Sequence, residues 1–148
     1  MKIRALLAVV LCALGLVFVV GCGNKSESSS KTEKSNDTPT EVCKKIIGAI
    51  TKGDYDAASE FCHGAQKEEF KSIAREFKKL SEKDKKEELD RWGKRVWEYQ
   101  DEKIDGDYAT VNIIGVNCAD IKAHLKKVDG EWKMITPADY EKETGKSR

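Results

Sequence analysis

The chain has 148 residues, of which 36% are charged, and its formal net charge is +1. This near balance of acidic and basic side chains argues against a nucleic-acid binder, which carries a basic surface. Without the first 21 residues, 25 of the 27 basic side chains remain against 26 acidic ones, because Lys2 and Arg4 lie in that segment and no acid does.

The amino terminus has the pattern of a secretory signal. Residues 1–4 carry two basic side chains, and the 17 residues from 5 to 21 carry no charge. As a helix these residues would measure about 25 Å, which is shorter than a bilayer core of roughly 30 Å. The basic start, apolar middle and small final residues predict a cleaved signal at residues 1–21. The alternative is an uncleaved anchor helix.

The signal ends in a sequence that specifies a lipid site. Residues 19–22 read V-V-G-C, which resembles the lipobox of bacterial lipoproteins. The resemblance implies a lipid thioether on the Cys22 sulfur, cleavage after Gly21 and acylation of the new amino terminus. Two or more acyl chains hold a protein stably on a membrane. We therefore predict a cell-envelope protein whose membrane partner is reached through Cys22.

The residue after the lipid site bears on which membrane holds the protein. Gly23 rather than Asp follows Cys22, which in sorting of the enterobacterial type favours the outer membrane, facing the periplasm. In a host with a single membrane, the protein would lie on its extracytoplasmic side.

Composition divides the rest of the chain into three parts. Residues 22–37 begin with the lipid site, Cys22, and contain no other apolar side chain, so we predict that they form a disordered tether. Residues 38–137 are periodic in apolar side chains and are long enough for one domain. Residues 138–148 are mostly charged and predict a disordered tail.

Helical signals fill the first half of the domain. Thr38, Pro39 and Glu41 match a capping box with proline at the first helical position. Gly53 and Asp54 predict the end of this helix and the cap of the next. Residues 81–88 contain no apolar side chain and predict a solvated helical stretch before Leu89 and Trp92. The predicted inward side chains are Cys43, Ile46, Ile47, Ile50, Tyr55, Ala58, Phe61, Cys62, Phe70, Ile73, Ala74, Phe77 and Leu80.

Strand signals fill the second half. Two Asp-Gly pairs, at residues 105–106 and 129–130, predict two hairpins. The first hairpin favours a three-residue loop, because that register places the apolar side chains on one face of the sheet. The second favours a two-residue loop. The predicted pairs are Trp97–Ile113, Tyr99–Val111 and Asp101–Ala109 in the first hairpin, and Leu125–Met134, Lys127–Trp132, Lys126–Lys133 and His124–Ile135 in the second.

The order of elements predicts an α+β domain with its helices packed on one face of an antiparallel sheet of about four strands. With the sequences K-G-D-Y-D-A-A, I-D-G-D-Y-A-T-V and V-D-G-E-W-K-M, this order resembles a domain of unknown function in small bacterial lipoproteins. That family lies within the nuclear-transport-factor-2-like (cystatin-like cone) superfamily. The resemblance covers roughly residues 38–136. It implies a curved sheet around a long helix, often with a pocket at the open end.

The resemblance assigns no catalytic residues to this chain. The lipoprotein family has no agreed set to carry over. Ketosteroid isomerases of the wider superfamily use a carboxylate and acidic hydroxyls inside the cone, and no run of this sequence aligns with that site. No cofactor is predicted.

Cysteine spacing predicts one disulfide bridge. Cys43 and Cys62 lie almost symmetrically about the turn at Gly53, which places them opposite each other in an antiparallel helix pair. Disulfides persist after export, and a bridge closing this loop would stabilise the fold by about 3 kcal/mol. The alternative is two small buried hydrophobes. Cys118 remains as an odd thiol, and the absence of C-x-x-C spacing argues against a metal site.

Candidate chemistry rests on one pair of side chains. The predicted register points Tyr99 and Asp101 inward, where a carboxylate beside aromatic rings could act as a base. His124 is predicted on the outer surface, and His63 at the end of the second helix.

Two classes of function follow. One is a non-enzymatic envelope lipoprotein whose cone binds a small apolar ligand or an envelope protein. The alternative is a lyase, isomerase or hydrolase that uses Asp101 in the pocket.

Overall fold

The computed structural model describes residues 36–115 and 120–146. Within these residues, four helices precede a four-stranded antiparallel sheet and one helix follows it, which confirms the predicted α+β class. The elements, in chain order, are α1 (Pro39–Ile50), α2 (Tyr55–Glu60), α3 (Gly64–Lys79), α4 (Glu82–Gly93), β1 (Trp97–Asp105), β2 (Tyr108–Gly115), β3 (Ile121–Val128), β4 (Glu131–Ile135) and α5 (Pro137–Thr144).

Helix α1 begins with the capping box that the sequence predicts. The Thr38 hydroxyl accepts a hydrogen bond from the Glu41 backbone N–H at 3.2 Å, and the Glu41 carboxylate accepts one from the Thr38 N–H at 2.7 Å. These bonds satisfy two of the backbone donors at the helix start. The apolar face of α1 then forms the centre of the core, through Val42, Cys43, Ile46, Ile47 and Ile50.

Helices α2 and α3 pack beside α1 as their apolar spacing predicts. The Asp54 carboxylate begins α2 by accepting a hydrogen bond from the Ala57 backbone N–H at 3.0 Å. The preceding turn requires Gly53, whose φ is +74° and whose added Cβ would lie 2.8 Å from the Phe77 ring. The side chains that these two helices bury include Tyr55, Ala58, Phe70, Ile73, Ala74 and Phe77.

Helix α4 covers most of the stretch predicted to be solvated. The Ser81 hydroxyl caps it by accepting a hydrogen bond from the Asp84 backbone N–H at 3.2 Å. The prediction is wrong at Glu88, which is only 7% exposed. Glu88 lies one helical turn before Trp92, so both side chains project from the same side of the helix. Trp92 is buried, as predicted.

The sheet has strand order β1-β2-β3-β4, and its inner face is the one that packs against α1 and α3. The β3–β4 register is confirmed, with Leu125 opposite Met134. Both residues of its loop, Asp129 and Gly130, have positive φ, at 53° and 90°, which suits the twist of a tight hairpin. The buried side chains of the inner face are Ala109, Val111, Ile113, Ala123, Leu125, Trp132 and Met134.

The β1–β2 hairpin has a different register from the predicted one. Trp97 lies opposite Gly115 and Tyr99 opposite Ile113, whereas the predicted partners were Ile113 and Val111. This shift of two residues leaves the same side chains on the inner face, because side chains alternate with a period of two. The loop contains residues 106 and 107 only, so the predicted three-residue loop is also wrong.

A β-bulge in β1 accounts for the shift. The regular pairing is interrupted between Gln100 and Lys103, where Asp101 has a φ of +51°. The extra residue moves the inward position from Asp101 to Glu102. The Glu102 carboxylate accepts a hydrogen bond from the Thr40 backbone N–H at 2.8 Å, at the start of α1. A negative charge is favourable at this end of a helix.

The chain itself covers the outer edge of β4. The Met134 backbone N–H donates a hydrogen bond to the Phe61 carbonyl at 2.8 Å, and the His63 N–H donates to the Met134 carbonyl at 2.8 Å. Over residues 36–115 and 120–146, no hydrogen bond joins the backbone at the outer edge of β1 to the backbone of another segment. The two outer strands therefore end the sheet in different ways.

The carboxy-terminal residues pack on the outer face of the sheet. The predicted disordered tail, residues 138–148, is wrong where the structure describes it, because α5 runs from Pro137 to Thr144. The Thr136 hydroxyl caps α5 by accepting a hydrogen bond from the Asp139 N–H at 3.0 Å. The Tyr140 ring then covers His124, with 4.4 Å between ring centroids. His124 is consequently buried, whereas the sequence predicts it at the outer surface.

Candidate functional site

The structure separates the two residues of the predicted acid site. Tyr99 is half-buried and its ring packs against the core. Asp101 is exposed in the bulge, where its carboxylate accepts a hydrogen bond from the Asn112 amide at 3.0 Å. The predicted Asp101–Ala109 pair does not form, because the bulge turns Asp101 outward. Asp101 therefore supplies no carboxylate to the interior, which the enzymatic alternative needed.

A different set of polar groups lies at the start of β1 and just before it. Arg95, Trp97 and Tyr99 are more buried than the exposed residues between them, and we call these three side chains the inner row. Arg95 Nη1, Trp97 Nε1 and the Tyr99 hydroxyl are buried, and none has a hydrogen-bond partner among the described residues. Buried polar atoms are nearly always paired in native proteins, so an unpaired set on one strand face needs an explanation.

Helix α2 adds a fourth unpaired group. The Tyr55 hydroxyl is also buried and without a hydrogen-bond partner in the part of the chain that the structure describes. Its ring contacts Phe77, with 5.0 Å between centroids. Burial and, secondarily, the charge of Glu88 raise the pKa of Tyr55, so this phenol stays protonated and can donate a hydrogen bond at neutral pH.

Arg95 carries the positive charge of the inner row. Its guanidinium lies over the Trp92 ring, 4.7 Å from the ring centroid, which is a cation–π geometry. No carboxylate among the described residues forms an ion pair with it. A guanidinium remains charged in any protein, and a partly buried charge without a counter-ion is unfavourable.

The buried acid of α4, Glu88, has its own partners. Its carboxylate accepts a hydrogen bond from Trp92 Nε1 at 3.2 Å and lies 3.1 Å from Arg91 Nη1. Glu88 therefore neutralises Arg91 and orients the Trp92 indole. This leaves the Arg95 charge available to an outside group.

Tyr99 ends the inner row on the side of α1. The Lys44 ammonium lies 5.5 Å from the centroid of its ring. Burial and, secondarily, Cys43 raise the pKa of Tyr99, so its hydroxyl is also a donor at neutral pH. The four unpaired groups are thus all able to donate, two of them donors only, which makes the site complementary to acceptor oxygens.

The remaining predicted site residues fall into two groups. Cys22 and Cys118 lie outside the described residues. Cys43 and Cys62 are free, buried thiols, so the predicted bridge between them is not present. Burial raises the pKa of each thiol to about 12, which keeps both protonated and unreactive near neutral pH. The alternative interpretation, two small buried hydrophobes, describes them.

His63 does not end the second helix as predicted. Helix α2 ends at Glu60, and His63 is the exposed residue that precedes α3, where its side chain forms no capping hydrogen bond. Over the described ranges, no three His, Cys, Asp or Glu side chains converge to hold a metal ion. In the same ranges, no helix is long and apolar enough to cross a bilayer.

The inner row had a signal in the sequence. Apolar residues begin to alternate from Arg95, so the strand pattern placed Arg95 on the same face as Trp97 and Tyr99. What the sequence lacked was any indication that the polar atoms of these side chains go unpaired, because that depends on segments packed from elsewhere. Comparisons with known protein families, with curated proteins and with solved structures return no match to this chain.

Proposed function

We propose that this protein is a lipid-anchored envelope protein that binds a small ligand between its helices and the inner face of its sheet. The observation that carries this proposal is the set of four buried polar atoms without partners, on Tyr55, Arg95, Trp97 and Tyr99. Each unpaired buried group costs about 1–3 kcal/mol, a cost that a bound ligand would remove by supplying the missing partner.

The anchor is supported by the sequence alone. The charge-free run of residues 5–21 and the V-V-G-C sequence at 19–22 are the grounds for a lipid on Cys22. With the tether of residues 22–37 after it, such a lipid would hold the domain close to an envelope membrane. A protein partner in that envelope is the competing occupant of the same site.

The cone is part of the proposal. Helices α1 and α3 lie against one face of the open sheet, and β1 contains a bulge near its middle. Bulges increase the local twist and bend a strand. We propose that the sheet curves in this way around α1 into a cystatin-like cone, with the inner row along its wall.

Mass spectrometry of the intact protein from its native membrane tests the proposal. The expected species begins at Cys22, carries acyl chains and retains a small molecule under gentle ionisation. A polypeptide that begins at Met1 with an unmodified Cys22 sulfur would contradict the anchor. A lipidated protein that keeps no small molecule, but is recovered with an envelope protein on the inner row, would replace the ligand by a protein partner.

A further inference from the structure

We infer that the ligand is a carboxylate on an apolar body, with its carboxylate held by the Arg95 guanidinium and the Trp97 indole N–H. This inference rests on the proposed ligand-binding function and names the class of ligand. Arg95 and Trp97 bring donors and no acceptor to the inner row. A planar guanidinium matches a carboxylate through two parallel hydrogen bonds.

Charge supports an anion at this place. Arg95 has no ion pair among residues 36–115 and 120–146, and Glu88, the buried acid of α4, is bonded to Arg91 and Trp92. The guanidinium is also held in position by the Trp92 ring beneath it. A charged group that is positioned, partly buried and without a counter-ion is arranged for a ligand of opposite charge.

The rest of the row suits an apolar body. Successive inward side chains of a strand stand about 7 Å apart, so the row from Arg95 to Tyr99 extends over roughly 13 Å. Beyond Arg95 the side chains of the row are aromatic. The Trp97 indole packs within the core at 2% exposure, and the row ends at the Tyr99 hydroxyl, a further donor.

The test is a titration of the full-length protein with matched acids and amides. The probes are benzoate, 2-naphthoate and 4-phenylbutyrate, each compared with its neutral amide, and the readouts are tryptophan fluorescence and melting temperature. We expect each carboxylate to bind at least about tenfold more tightly than its amide. Arg95→Gln should remove that preference and Arg95→Lys should reduce it, since lysine keeps the charge but not the planar fork.

The control is Arg75→Gln, which makes the same change of charge at an exposed position of α3 and should keep the preference. Amides that bind as tightly as the acids would overturn the carboxylate while leaving the proposed function in place. No binding of acids or amides, together with no retained molecule in the native mass spectrum, would overturn the proposed function itself.

Discussion

The outer strands β1 and β4 end the same sheet, and their polar groups differ in how they are bonded. The backbone of Met134 on β4 is paired on its outer side with residues 61–63, and the Lys133 ammonium donates a hydrogen bond to the Glu60 carbonyl at 3.1 Å. On β1, Trp97 and Tyr99 keep buried polar atoms that have no partner in the described chain, and so does Arg95 just before the strand. At β4 the fold itself pairs these polar groups, whereas beside β1 the unpaired donors are the groups for which we propose an outside partner.

The largest expected effect is at β4, the outer strand that pairs with residues 61–63. Met134→Ala should lower the free energy of unfolding by about 2–5 kcal/mol, because Met134 is buried in the core and its truncation leaves a cavity. Urea denaturation followed by circular dichroism measures the change. Val96→Ala, beside β1 at a position that is 50% exposed, is the control and should stay within about 0.5 kcal/mol. Equal losses at both positions would remove the contrast between the strands.

Tyr99→Phe should have the opposite sign. It removes a buried hydroxyl that has no partner, so the free energy of unfolding of the ligand-free protein should rise by about 1–3 kcal/mol. Tyr108→Phe is the matched control, because the Tyr108 hydroxyl donates a hydrogen bond to Glu143 at 2.7 Å and its loss should lower stability. A destabilised Tyr99→Phe variant would show that this hydroxyl has a partner after all.

The two buried thiols, Cys43 and Cys62, predict how stability depends on pH. Burial raises the pKa of Cys43 and of Cys62 from 9.0 to about 12. The folded protein therefore holds these protons where the unfolded chain releases them. Their contribution is fully present below pH 9 and is lost as the pH rises toward 12, by up to ~1.4 kcal/mol per pH unit for each thiol.

Urea denaturation between pH 7 and pH 10.5 measures this slope, and Cys62→Ala should make it shallower. Alkylation by iodoacetamide gives an independent readout, since both thiols should react only after unfolding. A requirement for reductant before they react would indicate a bridge and contradict the structure.

The smallest expected effect is at the bulge of β1. Glu102→Gln removes the negative charge of the carboxylate that accepts a hydrogen bond from the Thr40 N–H at the start of α1. The free energy of unfolding should therefore fall by about 0.5–1 kcal/mol. The loss should shrink at high salt, because ions screen an exposed charge. Glu98→Gln, which changes an outward side chain of the same strand, should show no such salt-dependent loss. An equal response from both variants would mean that the bulge does not position Glu102.

Local signals in the sequence were sufficient for most of the fold. The caps at Thr38 and Asp54, the 3.6-residue spacing of the helices and the Asp129-Gly130 loop each act over a few neighbouring residues. Helix α5 had such a signal too, because residues 136–139 repeat the Thr-Pro-x-acid pattern that begins α1. Their charged surroundings, with Tyr140 as the one large apolar side chain, concealed it.

The inner row, the Glu88 contacts and the buried position of His124 were decided by tertiary structure. The sequence by itself determined which positions face the interior, since apolar periodicity is a property of a single helix or strand. Whether such a position is covered, and whether its polar atom is paired, depends on segments that are distant in the chain: the Tyr140 ring of α5 covers His124, and no described segment supplies a hydrogen-bond partner to Arg95 Nη1, Trp97 Nε1 or the Tyr99 hydroxyl. A hydrogen bond acts over about 3 Å and no pattern along one strand encodes it, so only the packed structure shows which bonds are formed.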